Sequence, residues 1–80
     1  MSEQSAEWLT PRKTIVARAA LNWSTEDLAR RAGLEENRIW RFEHGYPIRR
    51  KARQALQEVL EYANVRFVTV DGQPHAYVPR

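Results

Sequence analysis

The sequence predicts a mainly α-helical domain of four short helices, closed at its C-terminal end by a β-hairpin or strand. Three observations predict it. Apolar residues recur at three- and four-residue spacings between residues 10 and 63, the mark of helices with one buried face. Thr10-Pro11 and Ser24 supply helix starts, while Gly33, Gly45 and Asn64 stand where helices should stop. From Val65 the period becomes two, with Val65, Phe67 and Thr69 on one side and Arg66, Val68 and Val70 on the other.

Residues 1–9 read as a flexible N-terminal arm. Thr10 then caps a helix with proline at its first position, where the missing N–H costs nothing, and this helix runs to about Leu21. Its expected apolar stripe is Ile15, Val16, Ala19 and Ala20, with Arg18 beside them. Ser24, with Asp27 three residues on, is a short capping box for a two-turn helix that carries Leu28, Ala29 and Ala32 and ends at Gly33. A third helix spans roughly Glu35 to His44 before Gly45, and Pro47 breaks the chain after it. The fourth begins at Ile48 or Arg49 and runs to Ala63, with Ala52, Leu56, Val59, Leu60 and Ala63 inward and Asn64 as its stop. "DGQP" turns the chain, and "HAYVP" follows as the second strand. A lone hairpin is marginal in water, so residues 65–80 must pack on the helices or pair with another chain. Trp8 and Trp23 are expected to add satellite packing.

Eighty residues make one small domain whose core supplies only a few kcal/mol of net stability. The absence of cysteine removes disulfides and thiolate metal sites, and suits a reducing compartment. No basic segment followed by an apolar stretch opens the chain, and no run of 18 apolar residues occurs, so a cytoplasmic protein without membrane attachment is expected. Thirteen Lys and Arg against ten Asp and Glu give a net charge of +3 and a pI near 9.8, a balance compatible with nucleic acid. The charge is concentrated in "RRKAR", residues 49–53; such a run is either a solvated helix face or a phosphate grip.

Four short helices with a tight glycine turn between the second and third describe a helix-turn-helix, in which the third helix enters the DNA major groove. Arg18, Ser24, Leu28-Ala29, Gly33, Ile39, Phe42 and Glu43-x-Gly45 carry a resemblance to a known family. From Ala17 to Phe67 the chain resembles the Xre family of bacterial and phage repressors, the group of Cro and the lambda-type repressors, and "LEYANVRF" resembles the Leu-Glu-Ala-Ala-Gly-Val-Glu-Phe ending of its small members. The resemblance implies a compact lambda-repressor-like domain over residues 10–64, a structural ion pair of Arg18 with Glu43, and phosphate contacts from the start of the fourth helix. It also implies base contacts at Glu36, Asn37 and Arg41, and positions near phosphate for Glu35 and Arg38. Thr25 departs from the glutamine common at its position, so the sequence preference should differ.

Helix geometry reaches the same surface independently. At 100° per residue, Ile39, Phe42 and Glu43 fall together, and Asn37 and Arg41 lie opposite, edged by Glu36, Trp40 and His44 on one side and Arg38 on the other. Asn37 suits adenine and Arg41 suits guanine, each bidentate contact worth roughly 1–3 kcal/mol of discrimination. Glu35 and Glu36 complement the helix dipole, and Glu36 can accept from cytosine N4, but glutamates facing phosphate lower affinity. Arg38, Arg41 and the run Arg49, Arg50, Lys51 and Arg53 must then compensate. Trp40 has three open roles: packing on sugar and thymine methyl, covering the core, or anchoring a protein partner.

Catalysis is not expected, because His44 and His75 are far apart and no serine or glycine loop forms a recognisable site; neither cofactor nor metal is called for. A metal site from Glu43, His44 and His75 would use the glutamate that better serves Arg18. The sequence thus reads as a transcriptional repressor that binds a double-stranded, inverted-repeat operator as a homodimer, with residues 65–80 either the dimerisation element or a cover for helices one and four. The alternative is an antiactivator whose acidic, tryptophan-bearing third helix binds another transcription regulator.

Overall fold

The computed structural model describes residues 8–80, and residues 1–7 of the expected arm lie outside the described residues. The protein is a compact, mainly helical domain: α1 (Pro11–Leu21), α2 (Thr25–Ala32), α3 (Glu36–Glu43) and α4 (Arg50–Tyr62) precede a two-stranded antiparallel sheet of β1 (Arg66–Val70) and β2 (Gln73–Tyr77). No helix among the described residues is long and apolar enough to cross a membrane.

One local device ends all four helices. Asn22, Gly33, Gly45 and Asn64 each take positive φ, and the next residue's N–H donates back across the last turn, Trp23 to Arg18, Leu34 to Ala29, Tyr46 to Arg41 and Val65 to Leu60, at 2.9–3.2 Å. This left-handed stop satisfies carbonyls that would otherwise lack partners, and it places a hydrophobic residue immediately beyond each helix. Gly33 and Gly45 are suited to it by lacking a Cβ; the asparagines tolerate it through their short polar side chains. At the helix starts, the Thr10 hydroxyl accepts from Lys13 N–H, and Ser24 and Asp27 exchange reciprocal hydrogen bonds of 2.9 and 3.0 Å.

The core joins Leu9, Ala17, Leu28, Ala29, Ile39, Phe42, Leu56, Leu60 and Val65. Its membership corrects the expected arm, because Leu9 is only 1% exposed and its N–H donates to the buried Gln57 Oε1 at 3.1 Å. Trp8 packs beside it, tilted against Phe67 with ring centroids 5.4 Å apart. Hydrophobic burial and a satisfied backbone donor hold this stretch where local sequence gave no helical signal.

Helix α1 also faces differently from expectation. Thr14 and Ala17 are buried, Ile15, Val16 and Ala20 are half-buried, and Ala19 is exposed. Thr14 and Ala17, three residues apart, share one face of α1, and it is this face that turns inward where α3 and β2 pack on the helix. Thr14 enters without an unpaired hydroxyl because its Oγ1 donates to the Thr10 carbonyl at 2.9 Å.

In the hairpin the turn is shorter than "DGQP". Asp71 and Gly72 alone form it, at φ 53° and 78°, as a two-residue turn requires to match the strand twist. Gln73 and Pro74 belong to β2, opposite Val70 and Thr69. The closing pair Val70–Gln73 exchanges hydrogen bonds and the next pair does not, so Pro74 removes no ladder bond. Half-buried Phe67 and Ala76 pair across the strands and pack against the core, while β2 lies along α1.

Leu9→Ala should cost about 2–5 kcal/mol, seen as a lower urea midpoint with an unchanged denaturant slope. The Asp27 carboxyl is held below its ordinary value by the Ser24 backbone N–H, then by Arg30 and the Ser24 hydroxyl. Its contribution is therefore full above the ordinary aspartate range and is lost as pH falls through the lowered folded-state value. In Asp27→Asn the fall of melting temperature below about pH 4 should be shallower than in the parent.

Candidate nucleic-acid interface

The orientation of α3 is fixed by an ion pair at its last turn. Arg18 Nε donates to Glu43 Oε2 at 2.7 Å and Nη2 to Oε1 at 2.8 Å, a bidentate fork, while Nη1 donates to the Trp23 carbonyl at 3.0 Å. The Glu43 side chain is 4% exposed, so both its oxygens are spent within the fold. The hydrogen bond to Glu43 raises the Arg18 pKa above its ordinary value even though burial opposes it, so Arg18 stays charged at any working pH. One side chain thus ties α1, the α1–α2 loop and the end of α3 together.

With Ile39 and Phe42 buried and Glu43 turned inward, α3 exposes Glu36, Asn37, Arg38, Trp40 and Arg41. Glu36, Asn37 and Trp40 line a shallow concavity of about 420 Å³. The Glu36 carboxylate accepts from the Thr25 hydroxyl at 2.6 Å, which fastens the start of α2 to the start of α3. Thr25 and Glu36 therefore belong to one patch, and one Glu36 oxygen already has a partner.

At the other end of that surface, the Arg41 guanidinium lies 4.5 Å from the Tyr46 ring centroid in the α3–α4 loop. Tyr46 is given no role by the sequence reading; its place just after Gly45, where a left-handed stop commonly sets a hydrophobic residue, is the signal that marks it. Trp40 is 47% exposed and stacks on His44, with centroids 3.7 Å apart and planes 15° from parallel. Covering the core is therefore not its role. His44 lies on the same edge, its Nδ1 2.9 Å from the Trp40 carbonyl.

Arg49, the N-cap of α4, and Arg50 and Lys51 in its first turn are exposed, and no side chain caps that helix start. Arg53, the fourth cation expected in the phosphate grip, is held differently from these three. It is half-buried, with its guanidinium 5.3 Å from the Phe42 ring centroid, so its position one turn further along α4 directs it over the core. Glu35 caps α3 without a side-chain hydrogen bond and is exposed. No group of three or more metal-ligating side chains occurs among the described residues.

The chain matches no model of a known protein family and no curated protein sequence.

The two classes of residue on α3 should separate by experiment. Glu43→Ala leaves Arg18 without its buried partner and should cost about 3 kcal/mol, read as a lower melting temperature, while Asn37→Ala, on the exposed face, should leave that temperature within about a degree or two.

Proposed function

We propose that the protein is a sequence-specific double-stranded DNA-binding transcriptional regulator, a repressor that reads an inverted-repeat operator as a homodimer. The observation that carries the reading is a single outward surface: the Thr25–Glu36 hydrogen bond joins α2 to the exposed face of α3, Glu36, Asn37 and Trp40 share one concavity there, and the Arg41–Tyr46 contact leads into the loop before the basic start of α4. A reading helix needs donors and acceptors of mixed type on its exposed face and cations beside it.

In this reading Asn37 addresses adenine and Arg41 guanine, and Glu36 accepts from cytosine with the oxygen left free by Thr25. Trp40 and His44 pack as one flat edge against sugar and thymine methyl. Arg38, Arg49, Arg50 and Lys51 meet phosphates, aided by the open N–H groups at the start of α4. The resemblance to lambda-type repressors implies base contacts at Glu36, Asn37 and Arg41 and phosphate contacts near Arg38 and the start of α4. The lambda-repressor-like arrangement of the helices and a cytoplasmic location belong to this proposal.

A second reading has an observation of its own. An exposed tryptophan beside Glu36 and near Glu35 is also the anchor of a protein interface, as in an antiactivator that occupies another transcription regulator. It leaves Asn37, Arg41 and the basic cluster without a task, which is why it ranks second.

Selection from random duplex DNA at near-physiological salt decides between them. The parent should enrich an inverted repeat, and the Asn37→Ala, Arg41→Ala double variant should lose that preference while keeping its melting temperature. Lys51→Ala should weaken binding to all duplexes alike and lower the salt slope by about one. Weak, salt-sensitive binding with no enriched sequence would transfer the assignment to the protein-binding reading.

A further inference from the structure

Away from α3, the protein has a groove of about 730 Å³ between the end of α2 and one flank of α4, lined by Trp23, Arg31, Ala32, Ala55, Val59 and Tyr62, with Glu58 on its rim. We infer that this groove seats a second copy of the chain, with the two copies related by a two-fold axis and each inserting Tyr62 into the groove of the other. The inference deepens the homodimer of the proposed function and rests on that reading only in giving the dimer a DNA-binding purpose.

The first argument is that α4 carries more apolar surface than its own core uses. Ala52, Leu56 and Leu60 face inward and are buried. Ala55, Val59 and Tyr62 form a separate row on the flank, at the spacing of a helix that packs on two sides. Tyr62 is 94% exposed, so its ring stands in solvent at the lip of an apolar channel. A floor of Ala32, Ala55 and Ala63 lets a second helix approach closely.

Charge selects the occupant. Arg31 stands on the α2 bank, its guanidinium 4.3 Å from the Trp23 ring centroid, and Glu58 stands on the α4 bank. Neither belongs to an ion pair among the described residues. A two-fold contact repeats every pairing, so a seating that sets Arg31 of one copy against Glu58 of the other forms the pair twice. The groove thus carries both members of a reciprocal charge pair, an apolar channel between them and one projecting aromatic ring.

The hairpin is the less suitable surface. Its inner residues Phe67 and Ala76 already pack on the core, and Pro74 removes a donor from the outer edge of β2. Val68, Val70 and Tyr77 are exposed on the outer side, but neither strand contains a carboxylate to answer Arg66.

The test is sedimentation equilibrium of the full chain without DNA, over a concentration series, for the parent, Arg31→Glu, Glu58→Arg, the double reversal, and Tyr62→Ala. The parent should form dimers. Each single reversal sets like charges face to face and should weaken dimerisation by at least about tenfold; the double reversal should recover it, and Tyr62→Ala should weaken it comparably. Melting curves identify any variant that fails to fold, and Glu58→Arg with Tyr62→Ala suffices if Arg31→Glu does. A parent that stays monomeric, or single reversals that dimerise like the parent, or a double reversal that is not rescued, would each overturn the inference. Because no DNA is present, a monomer that still selects an operator would refute this contact while leaving the DNA reading intact.

Discussion

The bidentate pair of Arg18 with Glu43 is the constraint on which the arrangement of the helices depends. A carboxylate that is almost wholly buried is tolerable only when its charge is matched and its oxygens are occupied, and Arg18 does both while also holding the Trp23 carbonyl. Such a pair contributes less to net stability than to the choice of one arrangement over others. A rotation of α3 that brought Asn37 or Arg41 inward would strand Glu43's charge or bury an unmatched one. Together with the burial of Ile39 and Phe42, the pair fixes which face of an eight-residue helix is offered to a ligand.

That economy explains the mixed character of the exposed face. A helix of two turns that gives Ile39, Phe42 and Glu43 to the interior has five positions left, and Glu36, Asn37, Arg38, Trp40 and Arg41 occupy them. Glu36 complements the helix dipole and holds Thr25, so its acidity already has local uses before any ligand arrives. Trp40 and His44 shield each other's faces by stacking, which makes an exposed tryptophan less costly in water.

Legibility in the sequence followed the range of the interaction. Caps and stops are local, so Thr10-Pro11, the Ser24–Asp27 box, Gly33, Gly45 and Asn64 identified the helices to within a residue or two, and the period change at Val65 identified β1. Rotation of α3 was also readable, because angular spacing alone separates Ile39 and Phe42 from Asn37 and Arg41. Contacts between distant segments were not. Leu9 has no periodic neighbours, yet it lies in the core because α4 presents Gln57 to its backbone. Thr14 and Ala17 face inward rather than Ile15 and Val16 because of what packs on α1, and Arg53 turns toward Phe42 for a similar reason. On the candidate surface, the exposed residues were predictable, but the links from Thr25 to Glu36, Arg41 to Tyr46 and Trp40 to His44 required coordinates.

The seating of Leu9 and the cover of α1 also make the domain depend on contacts between segments far apart in the chain. Leu9 meets Gln57 across a separation of 48 residues, and α1 is covered by β2, the last strand in the order of elements. Helices α2 and α3 pack on each other across a short turn, whereas α1 has an open flank unless the hairpin is present. The domain is therefore closed by a contact between its first helix and its second strand, and no stretch shorter than the span from Leu9 to Tyr77 contains all of its packing.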